Sequence, residues 1–161
     1  MALTVREQIL VVLAEELRGI TKTGGYSQDV ARVTRGQPNE VIAKSTPQPA
    51  IWIWSGPEAK ELIDDGGMAA AGQQWNELEL NVIFLVRTPR GAMETVGTEF
   101  NADIEKVLIS GPTRLIASTP VDVRAKGNLV MVGSADEDQA GGHAQYTVGY
   151  STVLGDPRTG A

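Results

Sequence analysis

Residues 75–87, WNELELNVIFLVR, form the clearest strand pattern in the chain. Every second residue from Leu78 to Val86 is apolar, so these side chains would share one face of a β-strand. The opposite face starts polar and ends apolar, with Glu77, Glu79, Asn81, Ile83 and Leu85. One end of the predicted strand should therefore be half exposed, and the other should lie centrally in a sheet.

A second strand is predicted where residues 49–55 read PAIWIWS. Trp52 and Trp54 would lie on one face and two isoleucines on the other, so both faces are apolar. Three interpretations are open: core on both sides, a stacking platform for a sugar or base, or a subunit interface anchored by tryptophan. The flanking Ala, Ile and Pro residues offer no side-chain hydrogen-bond donors for a platform, which favours core first and interface second.

Helical spacing of apolar residues predicts helices over about 4–20 and 92–109. Further strands are predicted over 120–134, as two strands joined by a tight turn at Gly127–Asn128, and over 143–153. This order of elements predicts an α+β fold in which the two helices pack on one face of a mostly antiparallel, mixed sheet. We expect one domain over residues 1–153, followed by a loose tail over 154–161.

Composition excludes several classes of function. The 161 residues contain no cysteine, which removes disulfides, thiolate metal sites and cysteine nucleophiles. The net charge is −6, and residues 58–79 hold six acidic side chains but one basic. A general nucleic-acid binder is disfavoured, because affinity for phosphates comes mainly from Lys and Arg. No signal peptide or membrane span is predicted, so we expect a soluble protein.

No constellation of catalytic residues is predicted. The single histidine, His143, is expected at an exposed strand edge, and no Ser or Asp partner is placed beside it by sequence. The GGMAAAG segment at 66–72 lacks the lysine and the preceding strand of a phosphate-binding loop. The two acidic clusters, Asp64–Asp65 and Asp136–Asp138, lack the oxygen ligands at alternating positions that a calcium-binding loop needs. We therefore predict no catalytic, cofactor-binding or metal-binding residues, and hence no enzyme.

Taken together, the segments resemble the tail terminator proteins of tailed bacteriophages, also called tail completion or minor tail protein U-like proteins. The resemblance lies in VREQILVVLAEELRGI as the opening helix, GGYSQDVARVTRG after it, PAIWIWSG after a proline-rich loop, LELNVIFLV leading into the second helix, and AQYTVGYSTVLGDP as the closing strand. It spans nearly the whole chain.

The resemblance implies a structural virion protein without catalytic residues, assembled in the host cytoplasm. Such subunits form a hexameric ring that ends polymerisation of the tail tube and joins the tail to the head-completion or neck proteins. DNA would pass through the lumen without specific binding, and no membrane is involved. Candidate interface residues are Trp52, Trp54, Trp75, Glu77 and Glu79, and candidate acidic residues at the lumen or rim are Glu58, Glu61, Asp64 and Asp65.

Two alternatives stay open beside the terminator. The chain could be another neck or connector protein of the head–tail junction. It could also be a small ligand-binding accessory domain that uses the tryptophan strand as its platform.

Overall fold

The computed structural model describes residues 2–39, 43, 45–62, 72–109, 113–132 and 138–161. Within these residues the chain forms two long helices, α1 (Val5–Arg18) and α2 (Met93–Ile109). The strands, in chain order, are β1 (Arg32–Arg35), β2 (Ala50–Leu62), β3 (Gln73–Arg87), β4 (Arg114–Ile116), β5 (Thr119–Val132), β6 (Gln139–Val153) and β7 (Asp156–Gly160).

The strands of the described residues form one sheet in the order β1-β2-β3-β6-β5-β4, and β7 pairs with β6 outside this path. β1 and β2 are parallel, and all the other neighbours are antiparallel. The four long strands β2, β3, β6 and β5 therefore lie side by side with alternating directions. This confirms the predicted α+β class with a mixed, mostly antiparallel sheet.

Helix α1 begins with a capping box. The Thr4 hydroxyl accepts a hydrogen bond from the Glu7 amide, and the Glu7 carboxylate accepts one from the Thr4 amide. The stripe that faces the sheet is fully buried and consists of Val5, Ile9, Leu13, Ala14 and Leu17. Because these residues recur at helical spacing, a single face of the helix supplies all the burial.

Helix α2 packs on the same face of the sheet as α1. Phe100 of α2 meets Phe84 of β3 edge to face, with ring centroids 5.2 Å apart. Both rings belong to one apolar cluster that contains residues of both helices and of the central strands. The helix-side core is thus continuous from β2 to β5.

Arg114 of β4 ties the two helices together. Its guanidinium forms an ion pair with Glu16 of α1 at 2.6 Å. It also donates to the main-chain oxygens of Val107 and Leu108, at 2.7 and 2.9 Å, in the last turn of α2. These carbonyls lack intrahelical partners, so one side chain both caps α2 and pairs with α1.

The predicted break in the 120–134 region is wrong. Residues 119–132 form the single strand β5, and both of its halves pair with β6. The Gly127–Asn128 pair forms no turn; a register shift between Ala125 and Gly127 instead marks a β-bulge. The bulge accommodates the extra residue while the strand continues, because β6 offers an unbroken partner along its length.

The C-terminal segment also differs from the expected loose tail. Asp156–Gly160 forms β7, which pairs with β6 at Thr152 and Val153. β2 is likewise longer than PAIWIWS predicts, because it continues through a bulge between Ser55 and Glu58 to Leu62.

Candidate assembly surface

The sheet has a second face, opposite α1 and α2, that we call the helix-distal face. Side chains alternate along a strand, so core residues identify the face on which their neighbours lie. Ile51 and Ile53 belong to the helix-side core, which places Trp52 and Trp54 on the helix-distal face.

β3 supplies the longest row of this face. Its even-numbered residues from Leu78 to Val86 lie in the helix-side core, so its odd-numbered residues point the other way. All the predicted interface candidates therefore share the helix-distal face: Trp52, Trp54, Trp75, Glu77 and Glu79.

The two tryptophans of β2 differ in exposure. Trp52 is 1% exposed and is one of the largest fully buried side chains. Trp54 is partly exposed, and its ring stacks on His143 of β6 with centroids 6.0 Å apart and planes 19° from parallel. Trp52 thus is core, as the first interpretation predicted, whereas Trp54 presents an edge at the surface.

A chain of hydrogen bonds crosses the helix-distal face beside Trp54. The Asn81 side-chain oxygen accepts from His143 Nε2 at 3.0 Å and from Gln145 Nε2 at 3.2 Å. The Asn81 amide donates to Glu79 Oε1 at 3.1 Å, and Lys126 Nζ donates to Glu79 Oε2 at 3.0 Å. The hydrogen bonds from Lys126 and Asn81 lower the pKa of the Glu79 carboxyl, so that it stays ionised. Side-chain hydrogen bonds therefore connect β3, β5 and β6 across this face.

His143 does not lie at a strand edge as expected. β6 begins at Gln139, and β3 and β5 flank His143 on both sides. The residue is partly buried between Trp54 and Asn81, where it serves the packing and hydrogen bonding of this face.

Trp75 lies flat over a glycine of the neighbouring strand. A Cβ on Gly149 of β6 would overlap the six-membered ring of Trp75. The indole nitrogen of Trp75 points toward Glu77 Oε1 at 3.5 Å. The absence of a side chain at Gly149 thus allows the ring to lie close to the sheet, where it stays half exposed.

The candidate acidic residues of the lumen or rim do not lie together in the structure. The bulge at Gly56–Pro57 turns Glu58 to the helix side, where its carboxylate accepts a hydrogen bond from the Tyr150 hydroxyl and pairs with Lys60 at 3.4 Å. Glu61 lies opposite Trp75 and is exposed on the helix-distal face. Asp64 and Asp65 lie outside the described residues.

The Glu58 region lines a cleft of about 210 Å³ between the start of α1 and the ends of β2, β3 and β6. Burial, and next the hydrogen bond to Glu58, raise the pKa of the Tyr150 hydroxyl far above its usual value, so it remains a donor. Arg6 of α1 closes one side, donating to Ser55 Oγ at 2.6 Å and to the Gly56 oxygen at 3.2 Å. A smaller cleft of about 180 Å³ lies beside the bulge of β5 and is lined by Glu105, Lys126, Gly127 and Tyr146, among others.

The sequence analysis did not name four residues of the helix-distal face as interface candidates: Asn81, His143, Gln145 and Gly149. Alternation places Asn81 on a strand face, but it does not give the register between strands. A signal was available in β6, since polar residues at 143, 145 and 147 alternate with apolar ones. That pattern predicts a partly polar second face, although not which partners meet there.

No group of three or more His, Asp and Glu side chains among the described residues could hold a metal ion. No helix in the described ranges is long and apolar enough to cross a membrane.

No protein-family model matches the sequence, and no curated protein matches it either. A solved structure that it does resemble is a chain from the virion of a native gene transfer agent particle. The two chains are 13% identical and superpose with a TM-score of 0.47, over 92% of this chain and 93% of the other.

Proposed function

We propose that this protein is a tail terminator, a virion protein whose copies form a hexameric ring at the head-proximal end of a phage tail tube. The observation that carries the proposal is the helix-distal face. Two half-exposed tryptophans, Trp54 and Trp75, sit there on a hydrogen-bonded sheet with exposed acidic side chains. The sequence resemblance stated above supports the same function independently of this surface.

The chemistry of the face suits protein contact. Tryptophan is a favoured anchor of interfaces, because a large rigid ring buries area at little cost in side-chain entropy. Trp54 stacks on His143, and Trp75 lies against the sheet in the space left by Gly149. Their order before assembly would reduce the entropy that a partner must overcome.

The acidity suits a DNA passage. Glu61 and Glu77 are exposed on the helix-distal face. Carboxylates at the lumen or rim of the ring would repel phosphates and keep passing DNA from binding. The ring's partners would be the tail tube protein on one side and a head-completion or neck protein on the other.

A tube polymerisation assay tests the function. The cognate tail tube protein is allowed to polymerise with increasing amounts of this protein, and tube lengths are measured. A terminator should shorten the tubes and stop their growth at low molar ratio. If tubes grow to the same length at every ratio of correctly folded protein to tube protein, the proposal is contradicted.

Paired variants test whether the helix-distal face is used. Glu77→Arg changes an exposed residue of that face, and Glu15→Arg makes the same change on the exposed side of α1. Glu77→Arg should weaken the arrest of tube growth, while Glu15→Arg should leave it unchanged. If the two variants arrest tube growth equally well, the contact surface does not include Glu77.

The same assay separates a neighbouring neck or connector protein. Such a protein would leave tube growth unchanged but would bind completed tails or heads. Co-sedimentation with each purified assembly reports that outcome.

A further inference from the structure

Among the described residues, both outer edges of the four-stranded centre are open over part of their length. β1 pairs with β2 only along Ala50–Ile53, and β4 pairs with β5 only along Thr119–Val121. Among the described strands, none pairs with the outer side of β2 from Trp54 to Leu62 or of β5 from Asp122 to Val132. An open edge presents unpaired main-chain donors and acceptors that can template another strand.

The directions of these edges are complementary. β2, β3, β6 and β5 alternate in direction, so the outer pair, β2 and β5, run oppositely. If β5 of one copy lay beside β2 of the next with the sheets facing the same way, the junction would be antiparallel, continuing the pattern inside each copy. It would also keep α1 and α2 of every copy on one side of a continuous sheet.

We propose that copies of this chain join head to tail by pairing β5 of one copy with β2 of the next. The inference rests on the proposed ring and identifies its subunit contact. Because the two edges differ, the contact is heterologous, and repetition of it closes a ring when the rotation per copy divides the full circle.

Bulges confine the pairing to short segments. The Gly56–Pro57 bulge interrupts β2, since proline has no amide hydrogen to donate, and leaves Glu58–Leu62 beyond it. The bulge after Ala125 interrupts β5 and leaves Asp122–Ala125 before it. Short segments bounded by bulges fix a register and restrict indiscriminate edge pairing.

Charge supports a second copy as the occupant. Glu58–Leu62 carries two acidic side chains and one basic, whereas 122–126 carries two basic and one acidic. The two edge segments therefore have opposite net charge, which favours pairing of β5 of one copy with β2 of the next over pairing of two like edges.

Disulfide trapping tests the contact, and the cysteine-free chain is suited to it. Ala59 and Asp122 are exposed, lie on the helix-distal face and belong to opposite edges. The double variants Ala59→Cys/Asp122→Cys and Ala59→Cys/Arg124→Cys sample two registers. A bismaleimide crosslinker, which spans a longer distance than a disulfide, detects registers between these two. Each double variant is made in the full-length chain and is oxidised or crosslinked both alone and when bound to tail tubes.

Head-to-tail pairing predicts a ladder of dimers, trimers and higher species for a double variant and monomers for each single variant. The control Glu15→Cys/Asp122→Cys should give no ladder, because Glu15 is exposed on α1. Dimers from Ala59→Cys alone would overturn the inference, since they require β2 to pair with β2.

The outcome separates this contact from the function. Tubes capped by the double variants without any ladder would overturn the strand pairing and leave the terminator function standing. A ladder from protein that does not arrest tube growth would support the pairing and overturn the function. Absence of both the ladder and the arrest overturns both.

Discussion

At the scale of single residues, Trp52 and Trp54 have the same surroundings in sequence but different exposure. Trp52→Ala should lower the free energy of unfolding by about 3–5 kcal/mol, because it empties a buried site. Trp54→Ala should cost about 1–2 kcal/mol, since it removes a half-exposed ring and its stack on His143. Chemical denaturation of both variants measures the difference, and equal costs would contradict the assignment of Trp52 alone to the core.

Gly149 sets the position of Trp75. Gly149→Ala should displace the indole ring, because the added Cβ overlaps it, and should cost about 1–3 kcal/mol. Tryptophan fluorescence in a Trp54→Phe background reports the move as a shift toward the emission of exposed indole. Unchanged emission and stability would show that the ring does not lie over this glycine.

Arg114 is the residue whose loss should affect both helices. Arg114→Ala should cost about 2–4 kcal/mol, because Glu16 loses its partner and two carbonyls of α2 lose their donor. The matched control is Arg124→Ala, which breaks an exposed ion pair with Asp122 and should cost under about 1 kcal/mol. Urea denaturation compares the two, and similar costs would refute the bridging role.

At the scale of elements, the β4–β5 hairpin turns through Ala117 and Ser118, whose φ angles are +51° and +66°. Residues other than glycine are conformationally strained in this left-handed region. Ser118→Gly should therefore raise stability by about 0.5–1 kcal/mol, measured as a higher melting temperature. Thr147→Gly, in the extended β6, is the control and should lower it by a similar amount. A destabilised Ser118→Gly variant would contradict the turn geometry.

The sequence predicted the elements whose periodicity is long. The helices and the β3 strand agree with their patterns, because each buries one regular face against the same core. It failed at Gly127–Asn128, where local turn preference is overridden by pairing with an unbroken β6. It also missed β7, whose residues 156–160 have no apolar alternation and are ordered by pairing with β6.

The sequence predicts which residues of the candidate site share a face within one strand, but it does not predict which residues meet across neighbouring strands. Alternation alone places Trp75, Glu77 and Glu79 on one face of β3. Their junction with His143, Gln145 and Gly149 depends on register, which is set by contacts between distant parts of the chain. The turn of Glu58 to the helix side depends on a bulge that sequence periodicity did not predict.

At the scale of the whole molecule, the sheet has one face covered by α1 and α2 and one face with half-exposed tryptophans. Within the described ranges, the outer strands of its four-stranded centre, β2 and β5, run in opposite directions and are open over part of their length. A ring of copies would use these surfaces together: the edges would join neighbours, and the helix-distal face would meet the tube or the lumen.

Electron microscopy of tail tubes incubated with the purified protein tests this central proposal most directly. We expect added density, with rotational symmetry in end-on views, at one end of each tube and nowhere along its length. Bare ends on both sides, or binding distributed along the tube wall, would contradict the proposal that this protein is a tail terminator.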